Sequence, residues 1–170
     1  SNVLGGCQGS TGPSSLHPDD GKPYGLRFPV VTIRDMVRAQ GHLADALGVK
    51  SWRAVIGGSM GGMQALEWAI LFPDRVRALV AIATSIEASA QQIAWGSIGR
   101  RALLMDPAYN NGDYYDAEPD GGPWNGLSVA RMIAQVTFRT DTRFNEKFGR
   151  KLVNKNFHSD GIDLFSQFDV

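Results

Sequence analysis

The stretch Val55-Ile56-Gly57-Gly58-Ser59-Met60-Gly61-Gly62-Met63-Gln64-Ala65 leaves the chain few ways to fold. An apolar run ends at Ile56, one serine stands among small residues, and an Ala/Leu-rich segment continues to Phe72 before Pro73. Strand, sharp bend and helix in that order make Gly57-x-Ser59-x-Gly61 a nucleophile elbow. Turning a strand into a helix over so few residues forces strained backbone angles at the serine. Larger neighbours would collide, so Gly57 and Gly61 are expected to flank it for steric reasons. Such a bend lifts the Ser59 hydroxyl out at the carboxyl end of the sheet, and the Met60 N–H at the helix start points toward an oxyanion. The plainer reading is a glycine-rich β-to-α turn or a dinucleotide phosphate loop. Gly57-x-Ser59-x-x-Gly62 imitates that fingerprint poorly, and no acidic residue is clearly placed about 20 positions on.

The remaining chain supplies a context for that bend. Residues 2–4 read as the end of a strand broken by Gly5-Gly6, and residues 5–30 lack periodicity and read as a long loop. Thr32 is placed to cap a helix, with Asp35 favouring its first turn. Ile33, Met36, Val37, Leu43, Ala44 and Leu47 form its apolar stripe, and Gly48 closes it. Residues 52–57 are predicted as a short buried strand. Residues 76–84 are almost wholly apolar, which is how a parallel strand covered on both faces reads. Strand, helix, strand, helix, strand in this order predicts an open parallel α/β sheet with right-handed crossovers. Ligands of such sheets lie beyond the carboxyl ends of the strands, where Ser59 is expected.

After Thr84 the pattern turns helical. Helices are predicted over residues 87–105, 127–138 and 141–153, with a Gly/Asp/Asn/Tyr-rich loop over 106–124 and a further segment from Phe157. The division expected is a partial α/β core over residues 1–84 and an incomplete helical lid insertion over residues 85–170. The chain has 170 residues, 43% of them apolar, and Lys+Arg equals Asp+Glu at 17 each. No broad basic surface for nucleic acid follows from that balance, and no apolar run reaches the roughly 20 residues that span a bilayer. Cys7 is the single cysteine, so no internal disulfide forms and a reducing, cytoplasmic setting is expected. The abrupt start at Ser1 and the Asp-Val end read like a piece of a longer protein.

A serine hydroxyl is a weak nucleophile until a base takes its proton, normally a histidine oriented by a carboxylate. On the α/β-hydrolase scaffold the chain order is Ser, then Asp or Glu, then His. His17 and His42 precede Ser59, and His158 falls in the helical insertion, so each reads as an ordinary surface or structural histidine. The Asp and His of a triad are therefore expected beyond Val170, and the second oxyanion N–H before Ser1. Arg131, among Val129, Ala130, Met132 and Ile133, either faces solvent or clamps a substrate carboxylate with two hydrogen bonds. Arg100-Arg101 reads as a solvated helix face. Tyr114-Tyr115 and Trp124 either pack together or wall a pocket, and Cys7 reads as structural.

Three stretches together resemble homoserine O-acetyltransferase, an α/β-hydrolase-fold acyltransferase family of methionine biosynthesis. They are residues 1–15 (SNVLGGCQGSTGPSS) continued by 28–37 (FPVVTIRDMV), residues 57–64 (GGSMGGMQ), and residues 126–133 (GLSVARMI) after Asp106-Pro107 and Gly112-Asp113-Tyr114. The likeness runs through the whole chain but covers about the middle half of a family member. It implies a ping-pong transfer in which Ser59 takes acetyl from acetyl-CoA, a co-substrate rather than a bound cofactor, and passes it to the hydroxyl of L-homoserine. It also implies Met60 in the oxyanion hole, Arg131 on the homoserine carboxylate, no metal, and a homodimer at full length. Where many members have Tyr one helical stretch after that arginine, this chain has Phe138, which opens the acyl and amino-acid preference to succinyl donors or related acceptors. The alternatives are an esterase on the same scaffold and a non-catalytic truncated module. The chain alone is expected to be inactive.

Overall fold

The computed structural model describes residues 2–6, 9–115 and 121–149. It divides into two compact units, Ser1–Ala88 and Ser89–Val170.

In the first unit, helix α1 (Ile33–Ala46) precedes strand β1 (Val55–Gly58), helix α2 (Met60–Leu71) and strand β2 (Leu79–Ile82). The start of α1 follows the sequence expectation. The Thr32 hydroxyl accepts from the Asp35 N–H, and the Asp35 carboxylate accepts from the Thr32 N–H and hydroxyl. These bonds hold the Asp35 carboxyl below its usual range. Gly48, at φ 70°, ends the helix by donating to the Asp45 carbonyl. The buried stripe is narrower than predicted. Met36, Val37 and Ala44 are buried, whereas Leu43 and Leu47 are exposed, because the contact that seats α1 is a close crossing over α2 at Gly41 and the Phe72 ring. Val37, Ala44 and Trp68 form the core, with Val49, Trp52, Val55, Leu71, Phe72 and Val76 packed around them. Arg75 closes one side of it, donating to the Val49 and Lys50 carbonyls and lying over the Trp68 and Phe72 rings.

β1 and β2 pair in parallel with Val55 opposite Leu79 and Gly58 opposite Ile82, and Trp52 adds a bridge to Val76. Both strands are shorter than expected, and neither is buried: Ile56 is 63% exposed and every residue of β2 is exposed. The apolar run does record a strand suited to cover on both faces, but α2 is the one described helix packed against both strands. Residues 2–4 are not a strand. Their backbone closes a local turn, with the Gly6 N–H on the Val3 carbonyl and the Gly5 N–H on the Thr11 carbonyl. The long loop is ordered by its own backbone: Leu16 bridges Pro23, and a 3-10 turn spans Gly25–Arg27. Arg27 sits 2.7 Å from the Asp20 carboxylate and lowers its pKa to about 2.

In the second unit, α3 (Ala90–Met105), a 3-10 segment (Pro107–Gly112), α4 (Trp124–Thr137) and α5 (Asp141–Phe148) follow one another. Ser89 and Gln92 form a second reciprocal cap at the start of α3. α3 and α4 approach closely where small residues allow it: a Cβ on Gly126 would lie 2.5 Å from the Ala102 carbonyl oxygen. The 106–124 loop is thus partly helical, and α5 ends at Phe148, its expected extension to Val153 lying outside the described residues. No described helix is long and apolar enough to cross a membrane.

Candidate active site

Ser59 sits between β1 and α2 with φ 53° and ψ −123°, a region that non-glycine residues rarely occupy. Serine is a preferred helix N-cap because its hydroxyl usually accepts a first-turn N–H. At Ser59 it does not: the side chain makes no cap hydrogen bond, and the residue is exposed. The backbone is pinned instead. The Ser59 N–H donates to the Ile82 carbonyl at 2.9 Å, extending the strand ladder one residue, and its carbonyl accepts from Gly62 and Met63. The hydroxyl is thereby presented on a fixed backbone rather than spent on the helix. Met60 opens α2, so its N–H belongs to the first turn and has no helical acceptor.

The glycines around the bend are not equivalent. A Cβ on Gly57 would lie 1.9 Å from the Gly61 carbonyl oxygen and 2.7 Å from the Gly62 nitrogen, so nothing larger fits there. A Cβ on Gly61 would meet nothing within 4 Å. The expectation that both flanking glycines relieve a steric clash therefore holds for Gly57 and is corrected for Gly61, whose backbone oxygen is what crowds Gly57. Gly62 is the second tight position, because Thr84 lies flat against it, 2.6 Å from where a Cβ would be. Thr84 is brought there by Ala83, which takes φ 46° just past β2, and its buried Oγ1 has no hydrogen-bond partner among the described residues.

The other predicted residues are placed as follows. His17 builds its loop: Nδ1 accepts from the Asp19 N–H and the ring leans on Tyr24. His42 is exposed on α1. Arg131 is exposed on α4 in the second unit, and Arg100 bonds the nearby Ser97 hydroxyl on α3. Tyr114 and Tyr115 stack at 4.8 Å, and burial raises the Tyr115 hydroxyl to a pKa of about 12. Phe138, just past α4, is 83% exposed. Cys7 and His158 lie outside the described residues.

The family model of the alpha/beta hydrolase fold matches residues 2–167. The chain belongs to that family. Within it, a homoserine O-acetyltransferase of Methanococcoides burtonii is 51% identical over all of this chain, which spans 34% of that relative. A homoserine O-succinyltransferase of Dechloromonas aromatica is 53% identical over 92% of the chain and 41% of its own length. The chain thus spans well under half the length of these curated relatives. Among solved structures, a homoserine O-acetyltransferase of Bacillus anthracis matches with TM-score 0.77 at 27% identity, covering 85% of this chain and 38% of that one. An esterase matches with TM-score 0.78 at 35% identity, covering 91% and 44%.

Within the second unit, Asp106 is a structural residue that no motif marks, only 8% exposed at the meeting of three helix ends. Its N–H ends α3 on the Leu103 carbonyl, Oδ1 accepts from Ala108 at 2.9 Å, and Oδ2 accepts from Gly126 at 2.8 Å. α4 begins at a proline N-cap that has no side-chain acceptor, so Asp106 supplies the cap from 20 residues away. The Gly126 and Ala108 N–H groups hold its carboxyl below the usual range. Asp106-Pro107 gives the local half of that signal, a cap before a proline, but nothing local foretells Gly126.

Proposed function

We propose that the full-length protein carrying this chain moves an acetyl group from acetyl-CoA to the side-chain hydroxyl of L-homoserine through an acyl-Ser59 intermediate. The observation that supports it most is the Ser59 backbone, held at φ 53° with its hydroxyl free of the capping role serine usually takes. In the first half-reaction Ser59 Oγ forms a bond to the thioester carbonyl carbon and gives up its proton to a base. The Met60 N–H donates to the developing oxyanion, and CoA leaves as its thiol. In the second, the homoserine hydroxyl attacks the acyl-serine and Ser59 recovers its proton. None of the three histidines is placed by chain order to serve as base, and the reading assigns base and carboxylate to the part of the relatives that this chain does not cover.

Arg131 is the residue assigned to the acceptor's carboxylate, by a bidentate guanidinium contact. The helices after Ala88 are assigned the role of a lid, since keeping water from an acyl-serine lets an alcohol compete for it. The same reading places the enzyme in methionine biosynthesis, in the cytoplasm, as a homodimer acting on small molecules. Succinyl transfer is the competing acyl chemistry, because a succinyltransferase is as similar as an acetyltransferase.

Ester hydrolysis is the second reading, favoured by the esterase match at 35% identity. Full-length protein given acetyl-CoA with and without homoserine separates the two through the rate of CoA release. Release that needs homoserine and vanishes in Ser59→Ala supports transfer. Release at the same rate without the acceptor supports hydrolysis, and unchanged release in Ser59→Ala refutes both.

A further inference from the structure

Beneath the bend, three side chains that neither half-reaction uses form one directed chain of hydrogen bonds. Trp68 Nε1 donates to Gln40 Oε1 at 2.7 Å, Gln40 Nε2 donates to Gln64 Oε1 at 2.6 Å, and Gln64 Nε2 donates to the Met60 carbonyl at 3.4 Å. An indole N–H can only donate, so it fixes which end of the Gln40 amide faces it. That choice fixes the Gln64 amide in turn, and leaves its N–H₂ facing the first turn of α2. Gln64 is only 6% exposed, and a primary amide in the core costs free energy unless its polar atoms are paired. An apolar residue would fill this position on α2 at lower cost. The first turn explains what the amide does there.

Met60 is followed by Gly61 and Gly62, the two residues of the turn with no side chain to restrict them. Yet the Gly61 carbonyl stays where it meets Gly57, and the proposed transfer needs the Met60 N–H, in the first turn of α2, held in place for the oxyanion. Two residues without side chains, of which only Gly62 is required by its neighbours, thus stand at a place where the backbone must not move. A strap from Gln64 to the Met60 carbonyl fixes one end of that turn, and Thr84 against Gly62 fixes the other.

We propose that Gln64, oriented by Gln40 and Trp68, is a positioning residue that holds Met60 so that its N–H meets the oxyanion formed at Ser59. The inference rests on Ser59 being the nucleophile, and one experiment separates the two. A fluorophosphonate forms a phosphorus–oxygen bond to an activated serine with loss of fluoride, and its labelling rate needs no knowledge of the natural acceptor. Full-length Gln64→Leu, Trp68→Phe and the double variant are labelled alongside the parent and Ser59→Ala, with rates normalised to folded protein by thermal melting. Initial rates of CoA release are measured against acetyl-CoA concentration.

Gln64→Leu is expected to lose about tenfold or more in labelling rate and kcat with KM for acetyl-CoA within about twofold, since an oxyanion donor acts on the transition state. Trp68→Phe loses less. The double variant is no slower than Gln64→Leu, because both act through one chain of bonds. Labelling that persists in Ser59→Ala removes the nucleophile. Ser59-dependent labelling at the parental rate in Gln64→Leu overturns the positioning role alone, as do losses that multiply in the double variant.

Discussion

Gly57 and Gly61 look alike in the motif, and the structure predicts that alanine at the two positions behaves in opposite ways. At Gly57 the added carbon would sit 1.9 Å from the Gly61 oxygen, about 1.5 Å short of the 3.4 Å at which ordinary contact begins. The obstacle is helix backbone, which cannot swing aside as a side chain can. Overpacking of this kind costs about 3 kcal/mol or more. The movement that relieves it, on the order of 1 Å, displaces Gly61 and with it the first turn of α2, which Met60 opens beside the serine. Misplacing a reacting group by about 1 Å costs roughly 10²-fold in rate.

At Gly61 the carbon meets nothing within 4 Å, and the position is the second residue of a helix. Alanine there gains up to about 1 kcal/mol in helix propensity and leaves the serine in place. The assay is urea unfolding of the two full-length variants together with the fluorophosphonate labelling rate of Ser59. Gly57→Ala is expected to unfold at lower urea and label at least 10²-fold more slowly, while Gly61→Ala matches or exceeds the parent in both. Equal damage at both positions, or a mild Gly57→Ala, refutes the steric account of the bend.

Two further outcomes follow from the second unit. Because two N–H groups hold the Asp106 carboxyl below its usual range, its caps contribute stability above the ordinary carboxylate pKa of about 3.9, and that contribution is lost as pH falls through the lowered value. Melting temperature followed from pH 7 to pH 2 should therefore fall less steeply in Asp106→Asn than in the parent below about pH 4, and a parallel fall contradicts the cap. Arg131→Lys keeps the charge and loses the planar fork, so KM for homoserine should rise about tenfold or more with KM for acetyl-CoA unchanged. An equal rise in both, or in neither, removes Arg131 from the acceptor's carboxylate.

What could be read from the residues was whatever is decided locally. The Thr32–Asp35 cap, the Gly48 stop and the strained serine each depend on a few neighbours in sequence, and all three stand in the structure as expected. Burial is decided by what packs on an element from elsewhere. The apolar letters of β2 describe a strand suited to cover on both faces, yet its residues are exposed with α2 as its described helix layer. Leu43 and Leu47 fit the helical period but lie off the crossing that Gly41 permits. Gly61 carries the same letter as Gly57 and differs only in which carbonyl approaches which carbon. Asp106 reaches Gly126 across 20 residues, and Gln40 reaches Gln64 across 24. No spacing rule spans such distances, so both networks become visible only once the helices are placed.

The most direct measurement is the mass of the full-length protein after brief exposure to acetyl-CoA without acceptor. One acetyl group on the peptide containing Ser59, absent in Ser59→Ala and discharged when L-homoserine is added, is the predicted result. An unmodified Ser59 under turnover, or an acetyl group that homoserine does not remove, contradicts acyl transfer through this residue.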